Sequence, residues 1–242
     1  MNHEFAREYR ELAYLVEDFV SSSYRRHREA VSDQPLAGGT ASQLPESRAA
    51  LHAPDHSNRD EARRLLEQEV LACILCPLSS GRTQAVPGVG VLDPLVMVIG
   101  EGPGAEEDRL GAPFVGPAGR YLDDWLKAID LSREENVYIT NVVKCRPPGN
   151  RDPEPAEIEA CRPYLERQIQ LVRPRVILAA GRVAAQFLTG SALGIGKLRG
   201  REHSCYGLPT VATYHPSGVL RNSDWRRPVW EDLKLLRSIL DK

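Results

Sequence analysis

From residue 94 onward the chain alternates between two kinds of hydrophobic pattern. Four short runs, PLVMVIG, NVYITNVV, RVILAAG and PTVATYH, are dense in Val, Ile and other apolar residues. Between and after them lie stretches with apolar residues at helical spacing: GRYLDDWLKAI, PAEIEACRPYLERQIQLV, RVAAQFLTG and VWEDLKLLRSIL. Near-continuous apolar runs predict strands covered on both faces, and strands separated by helices predict a mostly parallel α/β sheet. In such sheets ligands sit beyond the carboxyl ends of the strands. The unusual segments fall there: GEGPG after the first run, NVVKCRPPGNR at the end of the second and HPSGVLRN after the fourth.

Upstream the pattern differs. Phe5, Tyr9, Leu12, Leu15, Val16, Phe19 and Val20 predict an amphipathic helix within residues 1–30, which either docks on the rest of the protein or meets an unknown partner. Residues 31–59, aperiodic and rich in Pro, Gly, Ser and Ala, predict a flexible linker. A helix in DEARRLLEQEVLAC then opens a domain spanning 60–242, long enough for one substantial core. No apolar run approaches a membrane span, and MNHEFAREYRELAYLVEDF is too charged for a signal peptide, so a cytoplasmic protein is expected. The net charge of −2 carries no global nucleic-acid signature, so only local clusters of charge matter.

The chain has five cysteines. In a cytoplasmic setting, clustered thiols bind metal more often than they form disulfides. Cys73 and Cys76 form a CxxC; Cys145 and Cys161 follow as C-x15-C, with a loop running into a helix between them. Four thiolates can hold a tetrahedral zinc or a [4Fe–4S] cluster. Zinc ribbons place the second pair as another short CxxC, whereas scattered ligands suit a cubane with four corners to reach. The alternative is that Cys145 and Cys161 are ordinary buried thiols. Cys205 has no spacing partner and reads as structural.

The segment VIGEGPGAEED is a poor dinucleotide loop: the G-x-G-x-x-G spacing is absent, and Pro103 stands where that motif starts a helix. Instead Gly100, Gly102 and Gly104 flank Glu101 and Pro103, so backbone amides can approach a planar ligand, and further carboxylates follow at Glu106, Glu107 and Asp108. Phe114, set between small residues in APFVGPAG, reads either as core or as a stacking platform beside that loop.

GEGPGAEED, PFVGPAG, TNVVKCRPPGNR, KLRG and YHPSG, in this order and with these four cysteines, resemble the iron–sulfur uracil-DNA glycosylases, family 4 of the uracil-DNA glycosylase superfamily. The resemblance covers about residues 60–242. It implies a three-layer α/β/α fold around a central four-stranded parallel sheet, and a monomeric enzyme. The implied activity is hydrolysis of the N-glycosidic bond of uracil in single- or double-stranded DNA, leaving an abasic site. It also implies that Cys73, Cys76, Cys145 and Cys161 ligate a structural [4Fe–4S] cluster.

The same resemblance implies roles for single residues. The extruded uracil would stack on Phe114, with Asn141 accepting from N3–H and donating to O4, a pattern that cytosine inverts. His215 would donate to uracil O2 and stabilise the departing anion, with the backbone near Gly100 and Gly102 against the same base. Glu101 is the candidate for orienting water, with Glu107 a second candidate or a wall against the thymine methyl; Glu106 and Asp108 read as solvated. Arg146 and Arg151, with Lys197, Arg199, Arg201, Arg221, Arg226 and Arg227, would meet phosphates. Ser217 would lie at the DNA, and Val219 or Leu220 would fill the vacated stack. The alternative is a non-hydrolytic iron–sulfur DNA-binding protein, or one that traps itself covalently on the abasic sugar, for which His203 in GKLRGREHS is the candidate.

Overall fold

The computed structural model describes residues 56–242; the expected N-terminal helix and most of the expected linker lie outside the described residues. Six strands form one sheet: β1 (Val89–Gly90), β2 (Val96–Gly100), β3 (Val137–Asn141), β4 (Val176–Ala180), β5 (Glu202–Cys205) and β6 (Leu208–Thr213). Their order is β1-β3-β2-β4-β6-β5. The four apolar runs became β2, β3, β4 and β6, which pair in parallel; β2, β3 and β4 are buried along their whole length.

The expected four-stranded parallel sheet is therefore the centre of a mixed six-stranded one. β1 pairs antiparallel with β3, and β5 with β6. Neither edge strand has a sequence pattern to betray it. β1 is two residues long, and β5 is a largely exposed EHSC closed onto β6 by the two-residue turn Tyr206-Gly207. Both turn residues have positive φ, 53° and 76°, as a hairpin turn matched to strand twist requires.

The helices are α1 (His56–Leu71), α2 (Leu78–Gly81), α3 (Ala105–Leu110), α4 (Pro117–Lys127), α5 (Pro155–Val172), α6 (Arg182–Thr189), α7 (Ile195–Leu198), α8 (Pro216–Arg221) and α9 (Arg226–Leu240). α1 thus begins four residues before the expected boundary at Asp60, inside the expected linker. Side chains alternate across the strands. Met97, Ile99, Tyr138, Ile177 and Ala179 pack in a core with Val70 of α1, Leu165 of α5 and Ala184 of α6. Val96, Val98, Val137, Ile139 and Leu178 pack in a second core with Leu122 of α4 and Leu233 of α9. This is the three-layer α/β/α arrangement that strands apolar on both faces require.

The start of α4 presses on the loop before it. A Cβ at Gly119 would lie 1.8 Å from the carbonyl oxygen of Phe114, whose own φ is 53°. A non-glycine residue in that region costs on the order of 1–3 kcal/mol and persists only where neighbours over-determine it. Gly119→Ala should lower stability by about 1–3 kcal/mol or more, as overpacking does, read as a lower urea midpoint at unchanged m-value.

Candidate active site

The carboxyl edge of the sheet gathers four of the expected residues. β2 ends at Gly100, directly opposite Asn141 at the end of β3. A Cβ at Gly100 would lie 2.4 Å from Asn141 Oδ1 and 2.6 Å from Phe114 Cζ, so amide and ring both close over a residue without a side chain. The Phe114 ring centroid is 5.5 Å from that of His215, the planes inclined by 30°. Asn141 is buried, and its Oδ1 has no hydrogen-bond partner among the described residues. A buried acceptor left unpaired costs about 1–3 kcal/mol, so this atom marks a place where a ligand N–H fits.

His215 caps the short helix α8. Its Nδ1 accepts from the Ser217 N–H at 3.2 Å and lies 2.8 Å from Ser217 Oγ. With Nδ1 an acceptor, the ring proton of a neutral imidazole sits on Nε2, which becomes a donor. Burial, reinforced by the Arg221 charge and opposed by Glu107, pushes the His215 pKa down to about 4. The ring is therefore neutral at ordinary pH. Ser217, expected at the DNA, has its hydroxyl on this ring.

Glu101 follows Gly100 and is half-buried. Burial, then the nearby Asp152 carboxylate, raises its pKa, while Arg182 pulls it back. Asp152 and Arg182 pair with each other. Gly102, in the same loop as Glu101, packs against Val143 in the segment after β3.

Two other carboxylates differ from expectation. Glu107 is not free to orient water: Oε1 accepts from the Val115 and Gly116 N–H groups, both at 2.9 Å, and Oε2 from Gly104 N–H at 3.2 Å. It braces the loop that carries Phe114. Asp108, read as solvated, is buried and accepts the Thr83 N–H at 2.9 and 3.1 Å. Glu106 is exposed and pairs with Arg109.

The expected phosphate ligands divide. Lys197, Arg201, Arg221 and Arg227 are exposed, and Arg226 is half-buried. Arg146 is half-buried and bonds Asn150 Oδ1 at 2.8 Å. Arg151 grips Glu157 at 2.7 and 2.8 Å, across the first turn of α5. Arg199 grips Asp232 with two bonds of 2.9 Å; that carboxylate is fully buried and also takes the Thr213 hydroxyl. Both guanidiniums thus close structural ion pairs in place of the free phosphate contacts the sequence suggested. Val219 is likewise no wedge: it is wholly buried in the core, whereas Leu220 beside it is 44% exposed. The ring of His203, on edge strand β5, is held by Leu198 O at 2.6 Å from Nε2.

Cys73, Cys76, Cys145 and Cys161 line one cavity, together with Lys144 and Tyr164. Cys205 lies apart, buried near the β5–β6 turn. Among the described residues no three His, Cys, Asp or Glu side chains converge on a point where a single ion would sit. The four thiols surround a volume instead. Donors point at their sulfurs: Arg82 Nη1 at 2.9 Å from Cys145, the Lys144 N–H at 3.3 Å from Cys161 and the Leu75 N–H at 3.5 Å from Cys73. Burial pushes the Cys161 thiol up to about 11, against the pull of Lys144. Arg82 and Lys144 escaped the sequence reading: Lys144 stands inside TNVVKCRPPGNR, but nothing in the motif says that a lysine there is buried.

Residues 87–234 match the uracil DNA glycosylase superfamily. The chain is 43% identical over 188 residues to a type-4 uracil-DNA glycosylase of Thermotoga maritima, covering 76% of this chain and 97% of that one. It is 41% identical over 183 residues to the type-4 enzyme of Archaeoglobus fulgidus, covering 72% and 92% respectively. A type-5 uracil-DNA glycosylase of Thermus thermophilus is 32% identical over 192 residues, 64% of this chain and 87% of that one. With Gly100, Phe114, Asn141 and His215 gathered at the carboxyl edge and the four thiols around one cavity, these likenesses place the chain: it belongs to the uracil-DNA glycosylase superfamily, alongside the type-4 enzymes.

Proposed function

We propose that this protein removes uracil from DNA: it extrudes the nucleotide into the pocket between Phe114 and Asn141 and hydrolyses the N-glycosidic bond, leaving an abasic site. The observation that carries the reading is the orphaned Oδ1 of buried Asn141, beside the ring of Phe114 and the neutral His215. Uracil offers an N3–H donor between two carbonyl acceptors. Asn141 Oδ1 meets the donor, its NH2 meets O4 and His215 Nε2–H meets O2. Cytosine presents the inverse pattern at N3 and C4 and forfeits about 1–3 kcal/mol for the mismatch. Stacking on Phe114 returns about 1–3 kcal/mol of the extrusion cost.

In the reaction, water oxygen bonds to C1′ as the C1′–N1 bond breaks, and the bonding pair leaves on uracil. Glu101 orients the water, faces the developing cationic sugar and receives the proton. The preorganised Nε2–H of His215 meets the charge gathering on O2. Ser217 and Glu107 act one step removed, by holding His215 and the Phe114 loop. Exposed Arg221, Arg227, Lys197 and Arg201 meet phosphates, and Leu220 fills the gap in the stack.

The cysteine donors fit a [4Fe–4S] cluster: four thiols from three chain segments line one cavity, and N–H donors meet their sulfurs as they would meet metal-bound thiolates. Cys73, Cys76, Cys145 and Cys161 would hold it, and when bound it cross-links three chain segments and takes no part in bond breaking.

A labelled oligonucleotide containing one uracil tests the reading. Strand breaks should arise only after alkali, and Asn141→Ala and His215→Ala should each lower kcat/KM by about 10²–10³ while affinity for undamaged DNA is kept. Absence of alkali-dependent breaks with the unaltered protein would sink it, and a slow-migrating band without alkali would favour covalent trapping. Leu220→Ala should impair excision from duplex more than from single strands; Val219→Ala should instead lower the unfolding midpoint.

The depressed pKa of His215 gives a separate expectation. Between about 4 and its ordinary 6.5 the unfolded chain holds a proton that the folded one lacks. Stability should therefore rise with pH through that window and fall as pH drops through it. NMR of the imidazole should show no titration of His215 between pH 6 and 8, and His215→Gln should flatten the acid limb of the stability profile.

A further inference from the structure

Lys144 is 1% exposed, and its ammonium donates to Gln168 Oε1 at 2.6 Å, the Asn141 carbonyl oxygen at 2.6 Å and Thr140 Oγ1 at 2.8 Å. All three acceptors are neutral. A buried ammonium without an anion is unfavourable by several kcal/mol, and none of its hydrogen-bond partners is a carboxylate. The groups able to supply negative charge are the thiols of Cys161 and Cys145, which line the cavity that Lys144 also lines. A second cation, Arg82, donates to Cys145 Sγ at 2.9 Å. Four thiolates outweigh the positive charge of an oxidised [4Fe–4S] core, so a cluster bound there is a net anion. The two cations suit such a group.

We propose that Lys144 is a positioning residue shared by two sites: it is the counter-cation of the cysteine-bound cluster, and it clamps the main chain of Asn141, so that filling the cysteine cavity fixes the geometry of base recognition. The second half rests on the uracil reading given above; the first half rests on the cysteine donors alone. Only two residues separate Asn141 from Lys144, and Cys145 follows at once, so the path from pocket to cavity runs through one short segment. The Asn141 carbonyl ends β3, and the ammonium holds it at 2.6 Å, while the backbone N–H of the same lysine donates to Cys161 Sγ. Small displacements of such a group are costly, since about 1 Å of misplacement can lower a rate by about 10².

The test compares Lys144→Gln with the unaltered protein, both purified anaerobically. Iron content should be near that of the unaltered protein, and the cluster's reduction potential should move to more negative values because a cation has been removed. The kcat for uracil excision should fall roughly 10- to 100-fold, with affinity for undamaged oligonucleotide unchanged. Unchanged potential would overturn the counter-cation half, and unchanged kcat the positioning half. Should the glutamine variant not fold, Lys144→Arg carries the comparison. It keeps the charge, so the potential should stay near that of the unaltered protein, while its planar fork cannot reproduce three short bonds and excision should drop. Wild-type excision in that variant would overturn the clamp, and a shifted potential would overturn the charge argument. If the unaltered protein binds iron but excises no uracil, the functional reading fails and the potential still decides the first half. If it is colourless and iron-free, the first half is wrong.

Discussion

Two parallel strands end level with one another, and one of the two end residues has no side chain; the pocket depends on that. The register sets Gly100 opposite Asn141, and the space a Cβ would take at Gly100 is what the Asn141 amide and the Phe114 ring close over. Phe114 arrives from the segment between α3 and α4 in a left-handed backbone conformation. That conformation is over-determined from two sides. Glu107 accepts the N–H groups of the next two residues, and the backbone of Gly119 presses against the Phe114 carbonyl. A local cost of this kind is tolerable where surrounding bonds leave the chain no alternative.

The same economy joins the pocket to the cysteine cavity. Lys144 lies between Asn141 and Cys145 in the sequence; its ammonium bonds the Asn141 carbonyl, its backbone N–H donates to Cys161 Sγ, and the residue lines the cysteine cavity. A second connection runs through α3: Asp108 accepts the Thr83 N–H, and Gln84 Nε2 donates to Arg109 O at 2.8 Å. The segment just after the CxxC is thereby tied to the helix whose Glu107 braces Phe114. Whatever orders the cysteines therefore also limits how far the pocket's two walls can move.

The parallel centre of the sheet was legible because strands buried on both faces read as dense apolar runs, as PLVMVIG, NVYITNVV, RVILAAG and PTVATYH do. The edge strands were not, since two residues of β1 and an exposed β5 carry no period. At the site, Gly100, Asn141 and His215 come together as their places at strand ends suggested, and Phe114, which read as core or as a stacking platform, is buried and lies against His215. The arginines misled because charge in a sequence reads as surface. Arg199 finds its partner 33 residues away on α9, and Arg151 finds Glu157, whose carboxylate is buried although its residue type is polar. Val219 and Leu220 were equivalent as apolar neighbours; only the turn of α8 decides which of them faces the core. Lys144 was given no role and Asp108 was read as solvated for the same reason as the arginines misled: burial of a charged group is a property of the fold, and no local pattern announces it.

The electrostatics of the pocket follow from the chemistry proposed for it. Breaking the glycosidic bond separates charge, leaving the sugar positive and the base negative. An imidazolium beside the base would bring positive charge close to the sugar as well, and burial makes it unfavourable before any substrate arrives. The structure holds a neutral ring instead, with its Nδ1 occupied by Ser217 so that Nε2–H is the donor. The nearby Arg221 acts twice in the same sense. Its charge helps keep the ring from taking a second proton, and that same field favours an anion forming against the ring. On the loop that begins at Gly100, burial and then Asp152 raise the Glu101 carboxyl while Arg182 pulls it back, which suits the proton acceptor proposed for it. A neutral donor for the anion and a carboxylate for the cation, fixed before substrate enters, leave little to reorganise as the bond breaks.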